Sequence, residues 1–171
     1  MDKLREILIS RPEGKEEKEM AYSMYLELMK MYGDNADDAG VDDKIIKTYT
    51  LQNARAESTK GNRICQIIKA KDNIAGVVVH SIEPSQVYGT ACFIHALYID
   101  EKYRGNGIGT KVIKMFERKY PRYSIELNCK YRMQVEPFYR KLGFVPINIS
   151  YHRPATNNIQ KNAINNGIFS F

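Results

Sequence analysis

The stretch "YRGNGIGTKVIKMFERKY", residues 103–120, decides the fold. Gly105, Gly107 and Gly109 fall within five positions, and an amphipathic pattern follows without a break. Val112, Ile113, Phe116 and Tyr120 share one helical face, and Pro121 ends the helix. Upstream, "ACFIHALYI" is apolar on both faces, as a central strand should be. Strand, glycine turn and helix start together predict an anion cradle. The first N–H groups of a helix have no intrahelical partner, and the macrodipole adds about half a positive charge there. Glycine lets such a backbone approach phosphate oxygens with no Cβ in the way. Neither the Walker spacing nor the dinucleotide spacing GxGxxG is present; the spacing here is GxGxG.

Working outward, "LREILISRP" reads as a short strand and "GKEEKEMAYSMYLELMKMYG" as a helix that Gly33 stops. Its apolar stripe is expected to run through Met20, Ala21, Met24, Tyr25, Leu28 and Tyr32. The acidic segment that follows, with Asp34, Asp37, Asp38, Asp42 and Asp43 around Gly40, reads as a loop with a second short helix. "RICQIIKA", the turn "KDN" and "IAGVVVHSI" read as a hairpin. "YSIELNC" is a strand, "VEPFYRKLG" a short helix closed by Gly143, and "FVPINISYH" a strand. The polar, Asn-rich tail 153–171 is an extension or a last edge strand. The expected class is α/β (α+β): a mixed sheet with helices packed on it.

The length of 171 residues predicts a single domain over 1–171, large enough for a core without staples. The longest apolar run is too short to span a membrane, and "MDKLREILIS" has no secretory h-region, so the cytoplasm is the expected compartment. Cys65, Cys92 and Cys129 are odd in number and widely spaced, and each falls in a strand-like segment. With the scattered His80, His95 and His152, they argue against a disulfide framework and against a metal site. The net charge of +6 is uneven: −3 over residues 1–60 and +9 over residues 61–171. The basic part suits nucleic acid or the phosphates of a nucleotide-like cosubstrate.

"ALYIDEKYRGNGIGTKVIKMFE" resembles the acyl-CoA motif of the GNAT superfamily of N-acyltransferases, [Q/R]xxGx[G/A], with Arg104, Gly107 and Gly109 in the defining places. "EPFYRKLGF" resembles the family's FYxKxGF segment, with Tyr139, Gly143 and Phe144 in register, and "IAGVVV" with Gly76 resembles its third strand. The resemblance spans roughly residues 4–152. It implies a mostly antiparallel sheet flanked by helices and splayed at the acyl-CoA site. It further implies that Arg104, Gly105, Asn106, Gly107, Ile108, Gly109 and Thr110 hold the pyrophosphate of acetyl-CoA. A bulged strand would offer Leu97, Tyr98 and Ile99 to the thioester arm, a bulge being the ordinary way to re-aim a backbone. Two departures stand out. Arg132 replaces an asparagine common in the family, and Pro137 obliges the last helix to start late.

The implied activity is acetyl transfer from acetyl-CoA to a primary amine by direct attack on the thioester. Tyr139 would be the acid at the leaving sulfur and would also touch the cosubstrate. A phenol with a pKa of about 10 is protonated at neutral pH. His95, two residues before Leu97 and so on the same strand face, is the candidate base. Glu126 is its rival, and an ordered water chain is a third route. Asp37, Asp38, Asp42 and Asp43, with Glu126, would attract a cationic acceptor: a small molecule, a peptide lysine or an N-terminus. Three matters stay open at this level. The chain could be an inactive CoA-binding scaffold, or an acetyltransferase of aminoacyl-tRNA in which RNA is the substrate. A homodimer is compatible with all of these.

Overall fold

The computed structural model describes residues 6–34, 62–87, 89–129 and 134–147. The acidic residues Asp37, Asp38, Asp42 and Asp43, the expected second helix, Arg132 and the tail lie outside these residues. The elements are β1 (Ile7–Ser10), α1 (Gly14–Asp34), β2 (Ile64–Ala70), β3 (Asn73–Pro84), β4 (Thr90–Ile99), a 3₁₀ turn (Glu101–Tyr103), α2 (Ile108–Lys119), β5 (Ser124–Leu127) and α3 (Glu136–Lys141). The strands lie in the order β1-β2-β3-β4-β5. Every pair is antiparallel except β4–β5, which is parallel. The mixed, mostly antiparallel sheet flanked by helices is therefore the architecture found.

The expected hairpin is β2–β3, closed by the two residues Lys71 and Asp72 between the paired Ala70 and Asn73. Lys71 has φ 56°, the left-handed conformation that matches such a tight turn to strand twist. The strands β3 and β4 are apolar on both sides because a helix covers each face. On one side Ala21, Met24, Tyr25 and Leu28 of α1 pack over Ile67, Val77, Val79 and Ala96. On the other, Ile108, Val112, Ile113 and Phe116 of α2 pack over Ile68, Val78, Cys92 and Ile94. Each fully buried aliphatic or aromatic side chain contributes about 1.5–3 kcal/mol, so these two clusters fix how the helices sit on the sheet.

Several expectations change. Met20 is 39 % exposed, so the α1 stripe follows Ala21, Met24, Tyr25 and Leu28 with Met20 at its margin. Gly33 lies inside α1, which runs on to Asp34. Cys129 is exposed and lies past the end of β5, because β5 pairs with β4 only as far as Leu127. Residues 144–147 are not a strand, and the rest of "FVPINISYH" falls outside the described residues. The last helix begins at Glu136, with Pro137 in its first turn, where a missing N–H costs nothing.

Two bulges shape the sheet. In the β2–β3 pair Ile68 faces Gly76 while Lys69 faces Ile74, so Ala75 is an extra residue. Its carbonyl accepts the Asp100 N–H at 2.9 Å, which ties the end of β4 back to β3. In the β3–β4 pair Val79 faces Ala96 while His80 faces Ile94, so His95 is the extra residue on β4.

Candidate active site

The second bulge marks where the sheet opens. Pairing of β4 with β5 stops at Ile94 opposite Leu127, yet β4 continues to Ile99. Beyond that pair, among the described residues, no ladder between β4 and β5 continues along Ala96–Ile99. This is the splay that the resemblance implies. The bulge itself sits at His95, just before Leu97–Ile99.

A cavity of about 590 Å³ occupies the mouth of this opening. Its wall brings together the predicted Leu97, Tyr98, Ile99, Arg104, Gly105, Gly107, Ile108, Gly109, Thr110 and Tyr139. The turn between β4 and α2 is held by local bonds. Asp100 accepts the Lys102 N–H at 3.1 Å and so caps the 3₁₀ turn. Asn106 does not line the cavity; its side-chain amide donates to the Tyr103 and Arg104 carbonyls, both at 3.1 Å. Gly107 is the N-cap of α2, with φ 72° and no side-chain cap bond. The N–H groups of Ile108, Gly109 and Thr110 follow it, in the positions that lack intrahelical acceptors.

The three glycines have different reasons. Gly105 and Gly107 have φ 76° and 72°, and a Cβ on either would meet nothing within 4 Å. They serve conformation and leave open space. Gly109 is different: a Cβ there would lie 3.1 Å from Cζ of Phe138. It makes room for a ring of α3, a contact the sequence did not reveal. Arg104 is not a bare charge at the mouth. Its Nε donates to the Ile99 carbonyl at 2.8 Å, its guanidinium lies 5.5 Å from the Tyr98 ring centroid, and one terminal nitrogen reaches Met31 Sδ at 4.0 Å. It therefore fastens the end of β4 to α1.

Tyr139 lies on α3, packed edge-on against Phe138 and Phe144 at centroid distances of 4.9 and 5.5 Å. It also lines a second cavity of about 800 Å³, which holds Glu126. Tyr139 is thus the wall shared by both. Glu126 is buried on β5 and accepts from the Ser85 hydroxyl, the Gln86 N–H at 3.0 Å and the Ser124 hydroxyl at 3.1 Å. Burial pushes its carboxyl up, but the three bonds, that from Ser85 foremost, outweigh it and hold the group below the usual carboxylate range. A carboxylate so engaged is a clamp on the β3–β4 loop and a weak proton acceptor.

His95 is outside the 590 Å³ cavity, and its face is not the predicted one. Leu97 and Ile99 pack with the α2 cluster, whereas Ala96 and Tyr98 pack with the α1 cluster. His95 bonds Ser81 and packs tilted against the Phe93 ring at a centroid distance of 4.9 Å, and Ser81 lies on the α1 side with Val77 and Val79. The extra residue inverts the alternation, so His95 and Leu97 point to opposite faces. Ser81 and Glu83 escaped the sequence reading. Their approach to His95 depends on strand register, for which sequence spacing carries no signal. His80, behind the sheet, is fully buried against Phe116 and bonds the Tyr120 hydroxyl at 3.2 Å. Burial, with Lys119 and His95 adding to it, pushes its pKa down to about 4, so it is neutral.

Among the described residues, no group of three or more His, Cys, Asp or Glu is arranged to hold a metal ion. Nor is any helix there long and apolar enough to cross a membrane.

A family profile described as "Acetyltransferase (GNAT) domain" matches residues 32–154. Solved structures share the fold. The Bacillus subtilis protein YycN superposes with a TM-score of 0.68 at 16% identity, over 88% of this chain and 99% of that one. A GCN5-related N-acetyltransferase from Ralstonia eutropha JMP134 gives 0.60 at 12% identity, over 86% and 97%. Glucosamine-6-phosphate N-acetyltransferase from Arabidopsis thaliana gives 0.51 at 19% identity, over 87% and 98%.

Proposed function

The chain belongs to the GNAT acetyltransferases, and from that premise we propose that it transfers the acetyl group of acetyl-CoA to a primary amine by direct attack on the thioester. The observation that carries this reading is the opening of β4 from β5 beside an uncapped helix start, with Tyr139 across the cavity. The residues present fit the cosubstrate: Gly105 and Gly107 leave open space at the N–H groups of α2, which suits a pyrophosphate. Acetyl-CoA supplies the activated acyl group. The edge of β4 at Leu97–Ile99, which has no β5 partner among the described residues, offers backbone donors and acceptors to an extended thioester arm.

The protein must then manage two protons. An alkylamine with a pKa of about 10.4 is neutral in only about one molecule in 2,500 at pH 7, a gap of about 4.6 kcal/mol. A base has to remove the surplus proton. The Tyr139 hydroxyl donates to the departing sulfur. The whole chain is read as one such domain working in the cytoplasm.

The test is thiol release from acetyl-CoA in the presence of pooled amines: polyamines, amino acids, aminoglycosides, peptides and charged tRNA. Tyr139→Phe is expected to lower kcat about tenfold or more while leaving the Kd for CoA unchanged. CoA at 100 times its Kd should stabilise the fold by about 2.7 kcal/mol. No stabilisation at millimolar CoA refutes the reading. CoA binding with no turnover on any amine would mark an inactive scaffold.

A further inference from the structure

The cavity of about 800 Å³ meets the cosubstrate cavity at Tyr139, and its electrical character is the opposite. The smaller cavity carries Arg104 and the start of α2, both suited to an anion. The larger one is lined, among the described residues, by three carboxylates, Glu117, Glu126 and Glu136, and by one cation, Arg140. Arg140 Nε donates to Glu136 at 2.6 Å, so that pair cancels. Glu117 and Glu126 remain, two negative charges in a chain whose net charge is +6. Such a wall repels an anionic cosubstrate and attracts a cation.

Glu126 is the buried member, 7 % exposed. Its Oε1 accepts from the hydroxyls of Ser85 and Ser124, and its Oε2 from the Gln86 N–H. All three donors are neutral, and no described cation pairs with it. The bonds keep the group ionised in spite of its burial. An ionised carboxylate has about four acceptor sites, so one on Oε2 is left over. A charge withdrawn from water with no countercharge is costly. An ammonium entering the cavity supplies the countercharge and fills the remaining acceptor site.

We propose that this cavity takes the acceptor, and that the acceptor carries two cationic nitrogens: one held as an ammonium at Glu126, the other delivered past Tyr139 to the thioester. This rests on the acetyltransferase reading above and narrows its substrate class to amines with a second cationic group. Glu126 faces Phe93, one step before the last β4–β5 pair, so its charge lies beside the opening. A carboxylate held below its usual range is too weak a base to strip an ammonium. The nitrogen at Glu126 therefore keeps all its hydrogens and forms no covalent bond. The other nitrogen loses one proton, forms the C–N bond as the C–S bond breaks, and sheds a second proton to solvent. Between the two, Ile125, Leu127, Leu142 and Phe144 offer apolar wall to a hydrocarbon spacer. Glu117 on α2 is exposed, so water screens it and it steers cations more than it holds them.

Binding and turnover on the full chain test this with putrescine and the longer spermidine set against n-butylamine, which has one nitrogen. With CoA present, calorimetry should show the better of the two polycations bound about tenfold or more tighter than n-butylamine. Its kcat/KM should exceed that of n-butylamine by a similar factor, mostly through KM. Glu126→Gln should bring both ratios toward unity, and Glu117→Gln should shrink them far less. Glu126 also clamps the β3–β4 loop, so urea denaturation and the Kd for CoA check that the variant keeps its fold, and the wild-type ratios need no variant at all. Equal affinity and equal kcat/KM for all three amines overturn the proposal and leave the acetyltransferase reading standing. A preference that persists in folded Glu126→Gln overturns Glu126 as the anchor. Protein that binds CoA but acetylates no amine defeats the acetyltransferase reading, while the calorimetry still decides whether the cavity selects a second cationic group.

Discussion

Gly76→Ala tests the geometry of the opening most directly. A Cβ at Gly76 would lie 2.2 Å from the Tyr98 carbonyl oxygen, 3.0 Å from Cδ1 of Ile99 and 3.3 Å from Cδ1 of Ile68. The two isoleucine methyls can rotate; the Tyr98 oxygen is backbone and cannot. An ordinary carbon–oxygen contact is about 3.3 Å, so the end of β4 must retreat by about 1 Å. Overpacking of this kind costs about 1–3 kcal/mol, and each β3–β4 ladder bond that lengthens out of range adds about 1 kcal/mol. The expected loss is about 2–4 kcal/mol, read from urea denaturation, or about 6–12 °C in Tm for a chain of this size. Because Tyr98 and Ile99 also line the cavity, affinity for CoA should fall with stability. A loss below about 1 kcal/mol with unchanged CoA binding would falsify the claim that β3 and β4 approach this closely at the cosubstrate wall.

Two further outcomes follow from the described contacts. At Gly107, φ 72° with nothing near an added Cβ makes Gly107→Ala a pure strain test costing about 1–2 kcal/mol. Gly107→Asn should lose clearly less, and equal losses in urea denaturation would show that steric contact, not φ, is at issue. At Glu126 the folded carboxyl titrates below its unfolded counterpart, so its stabilising contribution is complete above about pH 4.3 and fades as pH falls toward the lower folded value. Wild-type stability should therefore drop more steeply with acid below that point than stability of Glu126→Gln. Parallel curves for the two proteins would mean that the clamp bonds do not hold the carboxylate in solution.

What the sequence disclosed, and what it withheld, divides along a physical line. Local signals were legible. The helical stripe of Val112, Ile113 and Phe116, the tight turn at Lys71–Asp72 and the glycine turn before α2 each depend on residues a few positions apart. They carried the mixed sheet with helices packed on it and the anion cradle at the glycine turn; the splayed sheet and most of the cavity wall came from the resemblance to the GNAT motifs. What depends on register was hidden. One extra residue at His95 reversed the face predicted for it, and nothing in "ACFIHALYI" announces that a bulge falls there. The partnership of His95 with Ser81, separated by fourteen positions, has the same cause. The packing at Gly109 was hidden for a related reason. Its space is claimed by Phe138 from a distant helix, and a sequence lists glycines without naming what presses on them. Cys129 was expected in a strand because its neighbours are strand-like, but β5 ends where its partner turns away.

The bulge on β4 also divides the strand in a way that a mutational scan would sense as a change of phase. Before His95 the even positions Cys92 and Ile94 answer to α2; after it the odd positions Leu97 and Ile99 do. A substitution tolerated for its fit beneath one helix is judged, one step further along, against the other. Deleting His95 would restore unbroken alternation and leave Ala96 to Ile99 opposite the β3 neighbours they already have. The strand is in effect two short strands of opposite parity joined end to end, with His95 as the seam.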